Sequence, residues 1–223
     1  MDMVLNEIEA RVLGCLIEKE MTTPEYYPLS LNALVNACNQ KSNRNPVLSL
    51  DEATVLKGLE GLRHKGLARE SRAPGDRVSK YYQDLFSRFD LSKQETAVIT
   101  ELMLRGPQTA GELRLNAGRM APLESLAETE ETLRALMEHD PPLVIKLARE
   151  AGRKESRYMH LLSGEISPEG GPSIQEGQFP PDRVAARPEA TLEEIAMLKE
   201  EVTGLRTELE ELRREFDKFK SQF

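Results

Sequence analysis

The side chains of this 223-residue chain best suited to acid–base, nucleophilic or metal chemistry are three histidines and two cysteines. His64, His139 and His160 are scattered: two near the ends of helical stretches, one in a strand-like run. His64 and His139 stand where a helix C-terminus favours a cation, which is a structural role. Cys15 and Cys38 sit in apolar helical patterns, beside Val12, Leu13, Leu16 and Ile17 and beside Leu34 and Val35. They could pair in a disulfide, but two buried thiols are the expected state in a cytoplasmic protein. Neither has a companion at metal-ligand spacing, and no glycine-rich phosphate loop or nucleophile motif is present. The chain is therefore expected to be no enzyme and to need no cofactor or metal.

Basic side chains offer a different chemistry, the neutralisation of phosphates. Lys41 and Arg44 lie in a polar loop, Arg69, Arg72, Arg77 and Lys80 flank one Pro-Gly turn, and Lys146, Arg149, Arg153, Lys154 and Arg157 surround a second turn. Such groups would hold nucleic acid with little sequence preference, although a solvated hairpin carries similar charge for solubility. Around Lys41 and Arg44 cluster Asn36, Asn39, Gln40, Asn43 and Asn45. Amides at this density could read base edges, hold a peptide backbone or cap helices. Because capping needs only one or two of them, a binding role is the expectation.

The elements that must position these groups follow from caps and apolar spacing. Asn6 and Glu9 stand at capping-box spacing before Ile8, Val12, Leu13, Leu16 and Ile17, which predicts a helix of about four turns. A second helix runs from Ser30 to about Cys38. A third, capped by Ser49 with Glu52, carries Val55, Leu56, Leu59 and Leu62 and stops at Gly66 in the C′ position. Leu67–Arg72 and Val78–Tyr82, around Pro74-Gly75, read as a β-hairpin. The pattern then repeats: Ser92 with Glu95 caps one helix, Thr109 with Glu112 another, and a third includes Leu126, Leu133, Leu136 and Met137. Leu143–Leu147 and Tyr158–Leu162 close a second hairpin. Ser79-Lys80-Tyr81-Tyr82 returns as Ser156-Arg157-Tyr158-Met159. The expected fold is mainly α with small β-hairpins (α+β), as two tandem winged-helix domains over residues 1–90 and 91–163.

Residues 164–190, rich in Pro, Gly, Ser and Glu, read as a flexible linker. Residues 191–223 read as a coiled-coil helix. Ile195, Val202, Leu209 and Phe216 recur at a, and Leu198, Leu205, Leu212 and Phe219 at d. Glu194, Glu201, Glu208 and Glu215 at g face Lys199, Arg206, Arg213 and Lys220 at e, which suits a parallel homodimer and sets like charges together in an antiparallel one. The alternative is an amphipathic helix folded back on its own body.

Net charge is −8, and its distribution is uneven: about −1 over residues 1–90, −2 over 91–165 and −5 over 166–223. The near-neutral body permits local basic patches without a global attraction to nucleic acid. No apolar run approaches the ~18 residues of a membrane span. Met1-Asp2-Met3-Val4 lacks the regions of a signal peptide, so a cytoplasmic location is expected.

The run from Pro28 to Pro46 (PLSLNALVNACNQKSNRNP) resembles the uncharacterised bacterial family of YceH-like proteins. So do Ser49-Leu50-Asp51-Glu52-Ala53-Thr54, Gly118-Arg119-Met120 and Arg157 to Leu162. The resemblance covers roughly residues 4–163 and implies tandem winged-helix domains in a bacterial cytoplasmic protein, with no activity or catalytic residue attached. Two partner classes remain open. In a winged helix the third helix usually enters the major groove, but here the first such helix opens with Asp51 and Glu52 and the second carries Glu124, Glu128, Glu130 and Glu131. Carboxylates there repel phosphate, so double-stranded DNA would be held through the wings and the 39–46 loop. The acidic helices suit instead an adaptor that grips a partner protein, a layout similar to the ScpB proteins of bacterial chromosome condensation. The balance favours a nucleic-acid-associated regulator.

Overall fold

Asn6 opens the first helix, α1 (Glu7–Thr22), with the full reciprocal capping box: its Oδ1 accepts from Glu9 N, and the Glu9 carboxylate accepts from Asn6 N. The computed structural model describes residues 4–72, 78–149 and 155–164, with Ser87 described by its backbone alone. These residues belong to one compact unit, spanning residues 1–173. A single 3-10 turn (Pro24–Tyr26) and a two-residue strand, β1 (Leu29–Ser30), lead into α2 (Leu31–Cys38), whose N-cap is Ser30. Next come α3 (Glu52–His64), β2 (Ala68–Ser71), β3 (Lys80–Gln83) and a short α4 (Leu85–Phe89).

In the second half, α5 (Lys93–Arg105) and α6 (Ala110–Ala117) each start with a complete capping box, from Ser92 with Glu95 and Thr109 with Glu112. They are followed by α7 (Leu126–Glu138), β4 (Val144–Lys146) and β5 (Tyr158–His160). The described residues are thus helical with two small antiparallel sheets. Among the described residues no helix is long and apolar enough to cross a membrane.

Three features depart from the sequence reading. Helix α3 is capped by Asp51, whose Oδ1 accepts from Thr54 N at 2.8 Å, and Ser49 lies two residues outside the cap. The first sheet has three strands in the order β1-β3-β2, because Leu29 and Ser30 pair antiparallel with Tyr81 and Lys80. Helix α4 occupies a stretch whose pattern is too short to read as an element. Gly66 does stand just past α3 with φ +68°, a conformation glycine adopts without a Cβ penalty.

Helix α1 is the axis of the unit. Every residue from Glu9 to Glu18 is buried, because α2, α3, α5 and β3 surround it. Helix α5 is buried likewise from Thr96 to Leu104. The two helices pack against each other and join the halves, and Gly14 lets them approach: a Cβ there would stand 2.9 Å from Leu104 Cδ2. Leu5 N donates to Leu162 O at 2.7 Å and ties the start of the first half to the end of the second. Leu13, Leu16 and Ile17 of α1 and Ile99, Leu102 and Leu104 of α5 are fully buried, each contributing about 1.5–3 kcal/mol.

Candidate nucleic-acid interface and the charged core beneath it

The β2–β3 pairing sets Arg69 opposite Tyr82 and Ser71 opposite Lys80, while Tyr81 and Gln83 turn inward. Arg69 is exposed yet engaged: its guanidinium lies 4.5 Å from the Tyr82 ring centroid, and Nε donates to Asp84 Oδ1 at 2.9 Å. Arg72 is exposed just beyond β2, and Lys80 is half-buried.

In the β4–β5 hairpin, Lys146 is exposed opposite Tyr158, with Nζ 5.7 Å from its ring centroid. Arg149 is exposed beyond β4. Arg157 is turned back into the fold, where Nη1 donates to Pro107 O at 2.7 Å and both terminal nitrogens meet the Glu112 carboxylate. That carboxylate also caps α6. Burial opposes its charge, but hydrogen bonds from Thr109 and the Arg157 guanidinium outweigh the opposition and hold its pKa below the usual range. Arg77, Arg153 and Lys154 lie outside the described residues. So do Ile195, Leu198, Val202, Leu205, Leu209, Leu212, Phe216 and Phe219, with the linker and coiled-coil readings.

The 39–46 loop behaves differently from the expectation. Lys41 is exposed, but Arg44 has a fully buried side chain. Its guanidinium forms a fork-to-fork pair with Glu18, Nη1 to Oε1 at 3.0 Å and Nη2 to Oε2 at 2.5 Å, and also donates to Ala37 O and Asn43 O. A phosphate cannot reach it. The amides are likewise consumed internally. Asn39 clamps Leu50 through two hydrogen bonds of 2.7 Å, and Gln40 Oε1 accepts from Arg44 and Lys19. Asn43 takes the left-handed conformation with φ 56°, and Asn45 N donates to Leu104 O at 3.0 Å. Each of these four is thus engaged within the fold, while Asn36 stands exposed on α2.

Beneath the loop lies a charged core that the sequence reading missed. Arg119, in the turn after α6, reaches Glu18 Oε1 and Glu101 Oε1, each at 2.6 Å. Glu18 thus accepts Arg44 from its own half and Arg119 from the other. Burial opposes the Glu18 charge, but hydrogen bonds and charge from Arg44 and Arg119 outweigh it and lower its pKa. Burial similarly opposes both guanidinium charges, and the carboxylates more than restore them. Arg11, one turn below Cys15 on α1, donates from Nη1 to Cys38 O at 3.2 Å and from Nη2 to Pro46 O at 2.6 Å. The signal was present: Arg11, Cys15 and Glu18 share one face of α1 at spacings four and seven. On an amphipathic helix, flanking charges ordinarily face solvent, so nothing local marked them as buried.

His64 Nδ1 pairs with Glu60 O, while His139 sits between Pro141 O and Phe89 O with its ring against Phe89. His160 is buried on β5, its Nδ1 unsatisfied, and burial lowers its pKa to about 4. Among the described residues no three His, Cys, Asp or Glu side chains gather where they could hold a metal ion.

Together these features define a class: a helical protein with small antiparallel sheets, locked by a buried ionic core and fringed by basic hairpins. Residues 5–153 match the family described as "Protein of unknown function, DUF480". The chain is 55% identical to a UPF0502 protein of Geobacter metallireducens over 223 residues, the whole of both chains. It is 56% identical to one of Pelobacter propionicus over 209 residues, covering 89% of this chain and 95% of the relative, and 50% identical to one of Geobacter sulfurreducens over both full lengths. The chain belongs to the DUF480/UPF0502 family of bacterial proteins, the group with YceH-like members.

Proposed function

We propose that this protein is a non-enzymatic, nucleic-acid-associated regulator that holds the DNA backbone through its hairpins. In this reading each half is a winged-helix module, and the heptads of residues 191–223 join two chains as a parallel homodimer. The helix-helix-helix-hairpin order in each half supports the module assignment. The observation that carries the binding reading is the set of exposed or half-buried cations at the two hairpins and the loop: Arg72, Lys80, Lys146, Arg149 and Lys41. Arg44, Arg69 and Arg157, engaged with carboxylates of the fold, drop out of the phosphate-binding set.

The test is binding of full-length protein to random duplex DNA as a function of salt. Affinity should fall steeply as salt rises. Replacing Arg72, Lys146 and Arg149 by Ala should lower the slope of log K against log salt by about one for each phosphate no longer neutralised. No binding at ~50 mM salt, where phosphate contacts are strong, would sink this reading. The second reading, a protein-interaction adaptor, is favoured by exposed Leu115 on α6 and Leu126 at the start of acidic α7, 72% and 47% exposed. Apolar side chains among carboxylates suit a protein partner better than a phosphate backbone.

A further inference from the structure

Helix α7 turns a face to solvent whose charge is not compensated. Glu130, Glu131 and Glu138 are exposed along it, against one exposed cation, Arg134. Among the described residues none of these three carboxylates takes part in a salt bridge. Apolar side chains flank the start of the same helix. Leu126 is exposed in its first turn, and Arg114 reaches Glu124 O, which sets exposed Leu115 of α6 beside that turn. Carboxylates alone are ordinary helix surface. Together with two bare leucines they make a surface suited to a basic, partly apolar partner.

A surface of that chemistry lies on the same chain. Strand β4 is the edge of its sheet: β5 pairs with it on one side and bridges from Tyr158 to Gln108 on the other. Among the described residues no strand pairs with the outer edge of β4. Ile145 and Lys146 are exposed on it and Arg149 just beyond, and residues 143–149 include no acid. A bare edge strand with an apolar side chain invites a partner. The first hairpin is different, because Arg69 is spent on Asp84 and Glu70 on Arg63. Within one chain both surfaces stay open to solvent, so neither serves as the cover of the other.

We infer that the acidic face of α7 docks on the β4 edge of a second copy of this chain, and reciprocally, as a two-fold pair. Glu130 and Glu131 of each copy meet Lys146 and Arg149 of the other, and the exposed leucines cover Ile145. The two surfaces are adjacent in one rigid half, since α7 leads directly into β4 and Leu143 N donates to Leu136 O. A two-fold axis therefore matches both contacts at once and closes the assembly at two copies. Charge sets the register of the pair, and the apolar side chains supply affinity. This contact goes beyond both readings above and does not depend on whether the hairpins hold DNA. It is also separate from the coiled-coil reading of residues 191–223, which concerns other side chains.

The experiment treats full-length native protein at low salt with a zero-length carbodiimide, which joins a lysine to a touching carboxylate. Covalent dimers and unlinked chains are separated on a denaturing gel, and each band is mapped by its tryptic peptides. The expected link joins Lys146 to Glu130 or Glu131 and occurs in the dimer band alone, because a link within one chain would appear in both bands. Arg149→Glu, which removes neither linked group, should lower its yield at least about fivefold by setting like charges together. Adding Glu131→Lys to that variant should recover links between the same two elements. A covalent dimer joined only through residues 191–223, no such link, or its presence in both bands would overturn the inference. So would a yield indifferent to Arg149→Glu, or no recovery in the double variant.

Discussion

The loop from Asn39 to Pro46 and the two hairpins carry the same kinds of side chain, yet the fold uses Arg44 of the loop and Arg72, Lys146 and Arg149 of the hairpins oppositely. In the loop, Arg44 is drawn beneath the surface to close a fork on Glu18, and the surrounding amides tie Leu50, Leu104 and Arg105 into place. On the hairpins, Arg72, Lys146 and Arg149 stay in solvent. A motif rich in arginine and asparagine therefore says little about binding until the counter-ion is located. Here the decisive partner, Glu18, lies 26 residues away in sequence.

The largest test of this contrast is Glu18→Ala. It strands Arg44 in the core without its carboxylate and removes one partner of Arg119, so stability should drop by about 3–5 kcal/mol. Urea unfolding measures it, and a loss as small as that of a surface mutation would mean that the buried network is not a keystone. Buried His160 offers a second test. The His160 pKa is about 4 when folded and about 6.5 in the unfolded chain. Its neutral form is thus the folded form, and its contribution is complete above pH 6.5 and declines as pH falls toward 4. Between pH 6.5 and 5 the folded state should lose about 2 kcal/mol from this group. His160→Leu should flatten that part of the stability profile.

Gly14→Ala probes how closely the halves are held together. Its methyl would press on Leu104 and should cost about 1–3 kcal/mol, seen as a lowered melting temperature. A neutral result would show that Leu104 swings aside easily. The smallest effect belongs to Arg72→Ala with Arg149→Ala: the melting temperature should not move, while the salt dependence of DNA binding should. Destabilisation by this pair would erase the distinction between hairpins and loop.

Much of this protein is decided by local sequence. Capping pairs such as Asn6 with Glu9, Ser92 with Glu95 and Thr109 with Glu112 satisfy orphan backbone groups within one turn, so they start the same helices whatever surrounds them. Apolar spacing and the glycines at 66 and 106 then mark where α3 and α5 end. The residues matching the family lie in these same stretches. Tertiary structure alone decided that ten consecutive residues of α1, acids and arginine included, are buried, because α5 from the second half closes over the face that would otherwise meet water. It also converted Arg44 and Arg157 from candidate phosphate ligands into internal ties, and set β1 beside β3. Charge in a sequence is a local property, but whether that charge meets solvent or a buried counter-ion depends on elements far along the chain, which only the assembled fold brings together.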